Sequence, residues 1–250
     1  MPECRVEKLK NSERKNTIRQ AVGFLLSVFT FLLFFAFFGL FSLSVQRGER
    51  KSDSLCEAMT DQSNAEEKRI ALTFDDGPNP DHTERLLEGL KKRKILATFF
   101  LLGAECEKYP EIVSKIAEEG HLIGVHAYEH VNLANLTDEA AIEQVDKTNR
   151  IIYELTGKYS EYIRPPYGCF KSNLDYETKM IEVLWDVDPL DWKTDNSDVI
   201  AARVIETVRE NDIILLHDAS DSSINAAFKI IDVLSENGYT FVTVEDLLLE

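Results

Sequence analysis

The sequence predicts an α/β fold, a distorted (β/α)7 barrel preceded by one transmembrane helix. Three observations predict it: apolar runs alternate with amphipathic stretches through residues 69–250, glycines follow several of those stretches, and the apolar run 21–45 contains no charged side chain. Repeated strand-then-helix order indicates a parallel sheet, and about seven such units in one domain favour an incomplete or distorted barrel over an open sheet.

The N-terminal residues predict a membrane anchor and a stalk. Residues 21–45 are apolar on all sides and long enough to span a bilayer as a helix. Residues 1–20 hold six basic and three acidic side chains, and such a basic segment stays cytoplasmic by the positive-inside tendency. Residues 46–68 are polar and predict a stalk. The expected location is the cell membrane, single-pass, with residues 69–250 extracellular.

A cleaved signal peptide is the alternative interpretation of the apolar run. Ser42, Leu43 and Ser44 form a weak cleavage site, and cleavage would give a secreted protein. The run is longer than the usual apolar core of a signal peptide, which favours the anchor. Because six basic and three acidic residues precede Ala21, residues 46–250 keep 22 basic and 41 acidic side chains, a formal net charge of −19.

Seven strands and five helices are predicted within residues 69–250. The strand candidates are 70–74, 97–102, 122–125, 162–164, 181–187, 213–216 and 240–243. The helix candidates are 83–93, 110–119, 137–156, 198–210 and 222–237. Pro110 suits a first helical turn, and Gly120, Gly157 and Gly238 each follow a last turn.

The composition excludes several classes of protein. The chain has 250 residues, a formal net charge of −16, 44% hydrophobic residues and four cysteines. The hydrophobic content is too high for a disordered chain, and four scattered cysteines do not form a disulfide framework. A chain this acidic repels nucleic-acid phosphates, so no nucleic-acid partner is expected. No feature of the sequence implies a protein partner.

Polar side chains follow five of the predicted strands. In chain order they are Asp75 and Asp76, His126 and His130, Arg164 to Gly168, Asp188 with Asp191 and Trp192, and His217 with Asp218. In a barrel or an open parallel sheet, the carboxyl ends of the strands form the working face. The sequence therefore predicts one functional site at that face.

Asp75 and Asp76 can carry out two separate tasks. Adjacent carboxylates at a strand end point in different directions, so one can bind a metal while the other faces a reacting water. The alternative is that residues 75–78, Asp-Asp-Gly-Pro, only form a turn.

His126 and His130 are spaced so that they can share a cation. On a helical turn, both imidazoles would lie on one face. Together with Asp76 they give two histidines and one carboxylate, a set that suits a catalytic divalent metal such as zinc. His121 and His82 lack such partners and are interpreted as structural or surface residues.

His217 follows a buried apolar run and has two interpretations. It could be a hydrogen-bonded core histidine, or it could be a general acid if Asp188 or Asp191 raises its pKa. Arg164 could pair with the carboxylate that serves as the base and hold it in place.

In order and spacing, these segments resemble the five motifs of the polysaccharide deacetylases, carbohydrate esterase family 4. The matching segments are residues 73–78, 126–130, 164–167, 188–192 and 215–217. The resemblance covers essentially residues 69–250. It implies that Asp75 is the general base, held by Arg164, and that His217 is the general acid, tuned by Asp191.

The resemblance also implies a ligand set and a substrate site. Asp76, His126 and His130 would bind one divalent metal ion, expected to be zinc, with cobalt, nickel or manganese as alternatives. The backbone amide of Tyr167 would stabilise the oxyanion. The other residues expected at the substrate are Pro165, Trp192 and Asp188.

The implied activity is metal-dependent hydrolysis of the N-acetyl group of N-acetylated amino sugars in peptidoglycan or a related cell-surface glycan, releasing acetate. The expected partners are this glycan and, through the N-terminal helix, the membrane. Two alternatives stay open: a hydrolase of a small N-acyl or cyclic amide on the same fold, and a catalytically silent carbohydrate-binding protein. Intact Asp75 and His217 disfavour the silent protein.

Two positions depart from the family pattern. Ser or Thr usually follows the first histidine of the second motif and Pro follows the second, whereas this chain has Ala127 and Val131. A less rigid ligand loop and slightly weaker metal binding are expected. Cys169 is interpreted as a packing residue beside the site, with a redox-sensitive gate as the alternative.

Overall fold

The structure, a computed structural model, describes residues 68–249. The predicted cytoplasmic segment 1–20, the anchor 21–45 and all but the last residue of the stalk 46–68 lie outside the described residues. Within residues 68–249, no helix combines the length and the apolar character that crossing a membrane requires.

Parallel strands form one seven-stranded sheet in the described residues. The strands are β1 Lys68–Asp75, β2 Thr98–Leu101, β3 Leu122–Val125, β4 Tyr162–Ile163, β5 Ile181–Glu182, β6 Ile213–His217 and β7 Tyr239–Val242. The strand order is β5-β4-β3-β2-β1-β6, and β7 also pairs with β1. Every pairing is parallel, which confirms the predicted α/β class with a parallel sheet.

β1 is the central strand and has partners on both edges. Residues 71–75 pair with β6 along one edge. The other edge is shared, because β7 pairs with residues 68–71 and β2 pairs with residues 73–75. Ala71 therefore lies between β6 and β7, and the end of β1 lies between β6 and β2.

The ring of strands is incomplete between β5 and β6. β5 has only two residues, although the sequence predicted a strand over 181–187. In the segment between β5 and β6, only the backbones of Asp186 and Val187 hydrogen-bond to the backbone of β6 in the described residues, around one short parallel pairing of Val187 with Ile214. The predicted distorted barrel is therefore better described as a parallel half-barrel.

Helices follow most of the strands. They are α1 Thr83–Arg93, α2 Gly103–Lys108, α3 Pro110–Glu118, α4 Asp138–Thr156, α5 Ser197–Ile205, α6 Asp221–Glu236 and α7 Val244–Leu248. The short helices α2 and α7 were not predicted. α5 ends at Ile205 instead of the predicted residue 210. Just beyond this end, the Thr207 hydroxyl donates to the Arg203 carbonyl, in competition with the backbone amide that a continuing helix would place there.

Alternation along the strands separates two layers of side chains. Ile70, Leu72 and Phe74 of β1 belong to the large apolar cluster that includes the helices. Ala71 belongs to a second, smaller cluster together with Phe100 of β2. Because successive side chains of a strand point to opposite faces, Thr73 and Asp75 share the face of Ala71. This places Asp75 at the mouth of the barrel interior.

Candidate active site

The loops at the carboxyl ends of the strands contain unusual backbone conformations. Asp76, Ala127, Tyr167 and Leu190 have φ values of 75°, 69°, 60° and 55°, in the left-handed region. A residue other than glycine loses about 1–2 kcal/mol there, and such residues cluster at functional sites. All four lie in loops that carry residues predicted to form the site.

Asp76, His126 and His130 form the candidate metal centre. Their ligand atoms all lie within 4.8 Å of one another. The Asp76 Oδ1 atom is 3.3 Å from Nε2 of His126 and 3.6 Å from Nε2 of His130. This oxygen is buried and accepts no hydrogen bond. A buried carboxylate oxygen facing two imidazole nitrogens fits a divalent cation.

The orientation of His126 also fits a metal ligand. Its Nδ1–H donates to the backbone carbonyl of Arg164 at 2.5 Å, which leaves the lone pair on Nε2, the nitrogen that faces Asp76. Histidine ligands of metals usually donate their other ring nitrogen in this way. The rings of His130 and Tyr167 pack in an edge-to-face arrangement, with centroids 4.8 Å apart.

The charge states of the centre favour cation binding. Burial raises the pKa of Asp76, but the imidazoles of His126, His130 and His217 outweigh burial and lower this pKa to about 2. Burial lowers the pKa of His130, against the opposing charge of Asp76. At neutral pH an ionised carboxylate therefore faces a neutral imidazole, and these are the forms that bind metals.

Arg164 is fully buried and holds Asp75. Its Nη1 donates to Asp75 Oδ1 at 2.8 Å and to the Thr73 hydroxyl at 2.6 Å. Its Nε and Nη2 donate to the carbonyls of Val183 and Leu184 at 3.2 and 3.1 Å. Burial lowers the pKa of Arg164, and the Asp75 carboxylate opposes this shift. These bonds fix one oxygen of Asp75 and the plane of its carboxylate.

The guanidinium of Arg164 rests on an aromatic ring. Its central carbon lies 4.2 Å from the ring centroid of Phe100. Gly124, on the neighbouring strand β3, leaves room for this ring, because a Cβ there would come within 2.3 Å of it. Two apolar positions inside the barrel therefore support the position of the buried charge.

His217 is bound to Asp191. Its Nδ1 is 2.8 Å from Asp191 Oδ1, and its backbone amide donates to Oδ2 at 2.8 Å. The Ser223 hydroxyl also donates to Oδ2, at 2.7 Å. Burial lowers the pKa of His217, but the hydrogen bond and charge of Asp191, with the charges of Asp75 and Asp76, raise it to about 9. His217 is therefore protonated at neutral pH.

Asp75 and His217 lie side by side at the ends of neighbouring strands. They are register partners in the pairing of β1 with β6. The candidate metal ligand Asp76 follows Asp75 directly. The site thus brings together a carboxylate, a metal centre and a protonated imidazole at one end of the sheet.

The predicted substrate residues differ in their placement. Tyr167 is 46% exposed, and its amide donates to no other described residue. Pro165 is buried, and its carbonyl accepts from Gly168. Trp192 is 62% exposed next to Asp191. Asp188 accepts from the Leu190 amide at 2.9 Å, and no described hydrogen bond or ion pair joins it to His217. Of the two aspartates considered, the structure joins Asp191 to the histidine.

Asp218 is a buried carboxylate at the site, and the sequence placed it after the sixth strand without indicating a role for it. Its Oδ2 accepts from the Thr83 hydroxyl, and its Oδ1 is buried without a hydrogen-bond partner. Burial raises the pKa of Asp218 to about 7, against the hydrogen bond from Thr83. A Cβ on Gly77 would lie 2.6 Å from Oδ2. The position of Asp218 after His217 was the only sequence signal for this contact.

Cys169 is buried behind the Tyr167 loop. It is in no disulfide, and its thiol donates to the Tyr167 carbonyl at 3.6 Å. This contact is consistent with the packing role expected of Cys169.

Comparisons of the sequence with known proteins identify relatives. The family model described as polysaccharide deacetylase matches residues 62–183. The peptidoglycan-N-acetylmuramic acid deacetylase PdaC of Bacillus subtilis is 42% identical over 181 residues, which are 72% of this chain and 39% of that protein. A peptidoglycan-N-acetylglucosamine deacetylase of Bacillus cereus is 40% identical over 185 residues, 71% of this chain and 67% of that protein. The chain therefore spans well under half the length of PdaC.

Solved structures agree with these relationships. The structure of PdaC aligns with a TM-score of 0.70 over 73% of this chain and 90% of that chain, at 42% identity. A protein from Bacillus anthracis described as a CE4 family pseudoenzyme aligns with a TM-score of 0.68, at 30% identity, over 73% of this chain and 66% of that chain. With its five motifs at one end of a parallel half-barrel, the chain belongs to the polysaccharide deacetylase family.

Proposed function

We propose that this chain is a membrane-anchored, extracellular, metal-dependent deacetylase that hydrolyses the N-acetyl groups of amino sugars in peptidoglycan or a related cell-surface glycan. One observation carries the proposal: Asp75 bound to Arg164, the metal-ligand triad and His217 bound to Asp191 lie together at the carboxyl end of the sheet. The names of the B. subtilis and B. cereus relatives support peptidoglycan as the glycan.

The cofactor in this proposal is one divalent cation, zinc first, with cobalt, nickel or manganese as alternatives. Asp76, His126 and His130 would hold it. When bound, such a cation polarises a carbonyl group and lowers the pKa of water. The buried, unpartnered Oδ1 of Asp76 supports this assignment.

Asp75 is the proposed general base. Arg164 holds Oδ1, while Oδ2 lies 4.0 Å from Nδ1 of His126, a candidate metal ligand. Asp75 would therefore accept the proton of the water that attacks the acetyl carbonyl. The amide of Tyr167 would donate to the oxygen that becomes negatively charged.

His217 is the proposed general acid. The Nδ1 atom of His217 is hydrogen-bonded to Asp191, so the proton that can be transferred is the one on Nε2 of His217. His217 would donate this proton to the nitrogen of the leaving amine as the C–N bond breaks. One water and one amide are consumed, and acetate and a free amino sugar are formed.

The proposed location depends on the N-terminal sequence. The uncharged run 21–45 and its basic flank support an anchor with the catalytic domain outside. Protease added to intact cells should remove the domain from a chain tagged at its C-terminus. Protection of the tag would contradict an extracellular domain.

Acetate release tests the activity. The full chain in detergent should release acetate from N-acetylated peptidoglycan, a chelator should stop the release and zinc should restore it. Asp75→Asn should lower the rate by roughly 10²–10⁴-fold, the usual contribution of a general base. Asp81→Asn, which changes an exposed carboxylate of the following loop, is the matched control and should retain the rate.

Other outcomes would favour the alternatives. Glycan binding without acetate release would indicate a catalytically silent protein. Hydrolysis of small N-acyl amides, with no release from any glycan, would indicate the small-amide hydrolase.

A further inference from the structure

One side chain of α4 holds the loop between the two candidate ligand histidines. Gln144 Oε1 accepts hydrogen bonds from two successive backbone amides, those of Tyr128 at 3.1 Å and Glu129 at 2.8 Å. Ala127, just before them, has left-handed backbone with φ 69°. Consecutive amides that converge on one oxygen form a small concave cradle. In this chain a side-chain amide oxygen fills it.

The opposite side of the same loop is held by α2. The carbonyls of Ala127 and Tyr128 accept from the amides of Gly103 and Ala104, both at 3.0 Å. α2 has no side-chain cap, so these carbonyls satisfy amides of its first turn. A Cβ on Gly103 would come within 2.5 Å of the Thr148 hydroxyl and 2.7 Å of the Tyr128 ring. The loop is therefore fixed between two helices.

The two histidines depend on this loop to different degrees. His126 has its own anchor, the bond from Nδ1 to the Arg164 carbonyl. The His130 ring contacts Asp76 and the rings of His126 and Tyr167, and no described hydrogen bond to backbone holds it. Glu129, whose amide Gln144 holds, directly precedes His130. The position of His130 therefore follows from the path of the loop backbone.

We propose that Gln144 is a positioning residue of the metal centre. By accepting from Tyr128 and Glu129, Gln144 fixes the backbone that presents His130. It thereby supplies rigidity where the chain has Ala127 and Val131 in place of the usual hydroxyl and proline. The inference rests on the proposed function only in requiring that the triad binds a cation.

Zinc titration of the full chain tests the inference. Gln144→Met keeps the length of the side chain but removes the acceptor, and it should weaken zinc binding by roughly 10–100-fold, as loss of an outer hydrogen-bond partner commonly does. Gln144→Glu keeps an oxygen acceptor for both amides and should restore most of the affinity. In the metal-free protein, the amides of Tyr128 and Glu129 should exchange hydrogen faster in Gln144→Met than in the wild type.

Asn149 provides a matched control on the same helix. Its side chain also makes two hydrogen bonds to backbone, donating to the Ser160 carbonyl at 3.0 Å and accepting from the Ser160 amide at 2.8 Å. Asn149→Leu should lower stability but leave zinc affinity unchanged. The inference would be overturned if Gln144→Met bound zinc as tightly as the wild type does. It would also be overturned if Asn149→Leu lost as much zinc affinity as Gln144→Met.

The two proposals can fail separately. A wild-type chain that binds zinc but hydrolyses no glycan would contradict only the proposed function. Normal hydrolysis together with zinc binding that does not depend on Gln144 would contradict only the positioning role. A wild-type chain that binds no divalent cation would contradict both.

Discussion

One buried and one partly buried histidine lie at opposite ends of the sheet and have opposite acid–base behaviour. His121 directly precedes β3, at the amino end, and its Nδ1 accepts from the Ala97 amide at 3.1 Å. Burial lowers its pKa to about 4. His217 ends β6, at the carboxyl end, and Asp191 raises its pKa to about 9 although burial opposes this. The comparison teaches that the bound carboxylate, not burial, determines which histidine is charged.

Left-handed backbone occurs at both ends of the sheet, but its steric cost is unevenly distributed. At the amino end, Gly120, Gly157 and Gly238 adopt it before β3, β4 and β7, and Lys94 and Asn211 adopt it before β2 and β6. Glycine adopts this conformation without steric cost. At the carboxyl end, one glycine adopts it together with four residues that carry side chains: Gly168, and Asp76, Ala127, Tyr167 and Leu190. More of the steric cost therefore lies in the loops that carry the site.

The two ends of the sheet should differ most in how much an ion pair at each end contributes to the free energy of unfolding. Arg164→Met removes the partner of a buried carboxylate, and it should lower the free energy of unfolding by about 3–5 kcal/mol. Lys91→Ala, at the amino end, removes an exposed lysine from its pair with the partly buried Glu119 and should cost about 1 kcal/mol. Denaturant unfolding of the metal-free chain, followed by tryptophan fluorescence, measures both. Equal costs would show that the two ends do not differ in this way.

The pH dependence of stability should have opposite signs for the two histidines. The pKa of His217 is raised from 6.5 to about 9, so its contribution is full below pH 6.5 and is lost as the pH rises to about 9. The pKa of His121 is lowered from 6.5 to about 4, so its contribution is full above pH 6.5 and is lost as the pH falls to about 4. Each contribution is roughly 3 kcal/mol.

Asp191→Asn should remove only the alkaline effect. NMR titration of the metal-free variant should show the pKa of His217 well below 9 and the pKa of His121 unchanged. A pKa of His217 that stays near 9 in the variant would show that Asp191 is not its cause.

The smallest expected effect concerns Ala127. Ala127→Ser restores the hydroxyl usual in the family at a fully buried position. One hydrogen bond contributes about 0.5–1.5 kcal/mol. We expect an effect near the lower end of this range, so zinc binding should tighten by about threefold. Gln144 already holds this loop, which explains why the gain should be small. Zinc titration measures it, and weaker binding by the variant would contradict the expectation.

The sequence predicted most of the fold because periodicity and caps are local signals. β3 matches its predicted bounds, and α1 begins and ends as predicted. β5 is shorter than predicted for a non-local reason: the carbonyls of Val183 and Leu184 accept from Arg164 instead of from a neighbouring strand. The apolar character of residues 181–187 alone could not reveal that two of their carbonyls bind a distant arginine.

The site was predictable where its residues end a strand or directly follow one. Asp75, Asp76 and His217 occupy such positions, and family motifs contain them. Gln144 and Ser223 act from helices, through contacts that exist only after the helices pack against the loops. No spacing in the sequence connects these side chains with the residues they hold. The capping box of Thr243 and Asp246, by contrast, is a local signal that could have indicated α7.

The pairing of β1 has a consequence for native-state fluctuations. Three strands occupy its two edges, whereas β5 is a two-residue strand at the edge of the sheet. Amide protons of β1 should therefore exchange only when the whole domain unfolds, while those of β5 exchange through local opening. Asp75 ends the strand that opens last. The domain can thus fluctuate at its β5 edge while the carboxylate at the mouth of the barrel keeps its place.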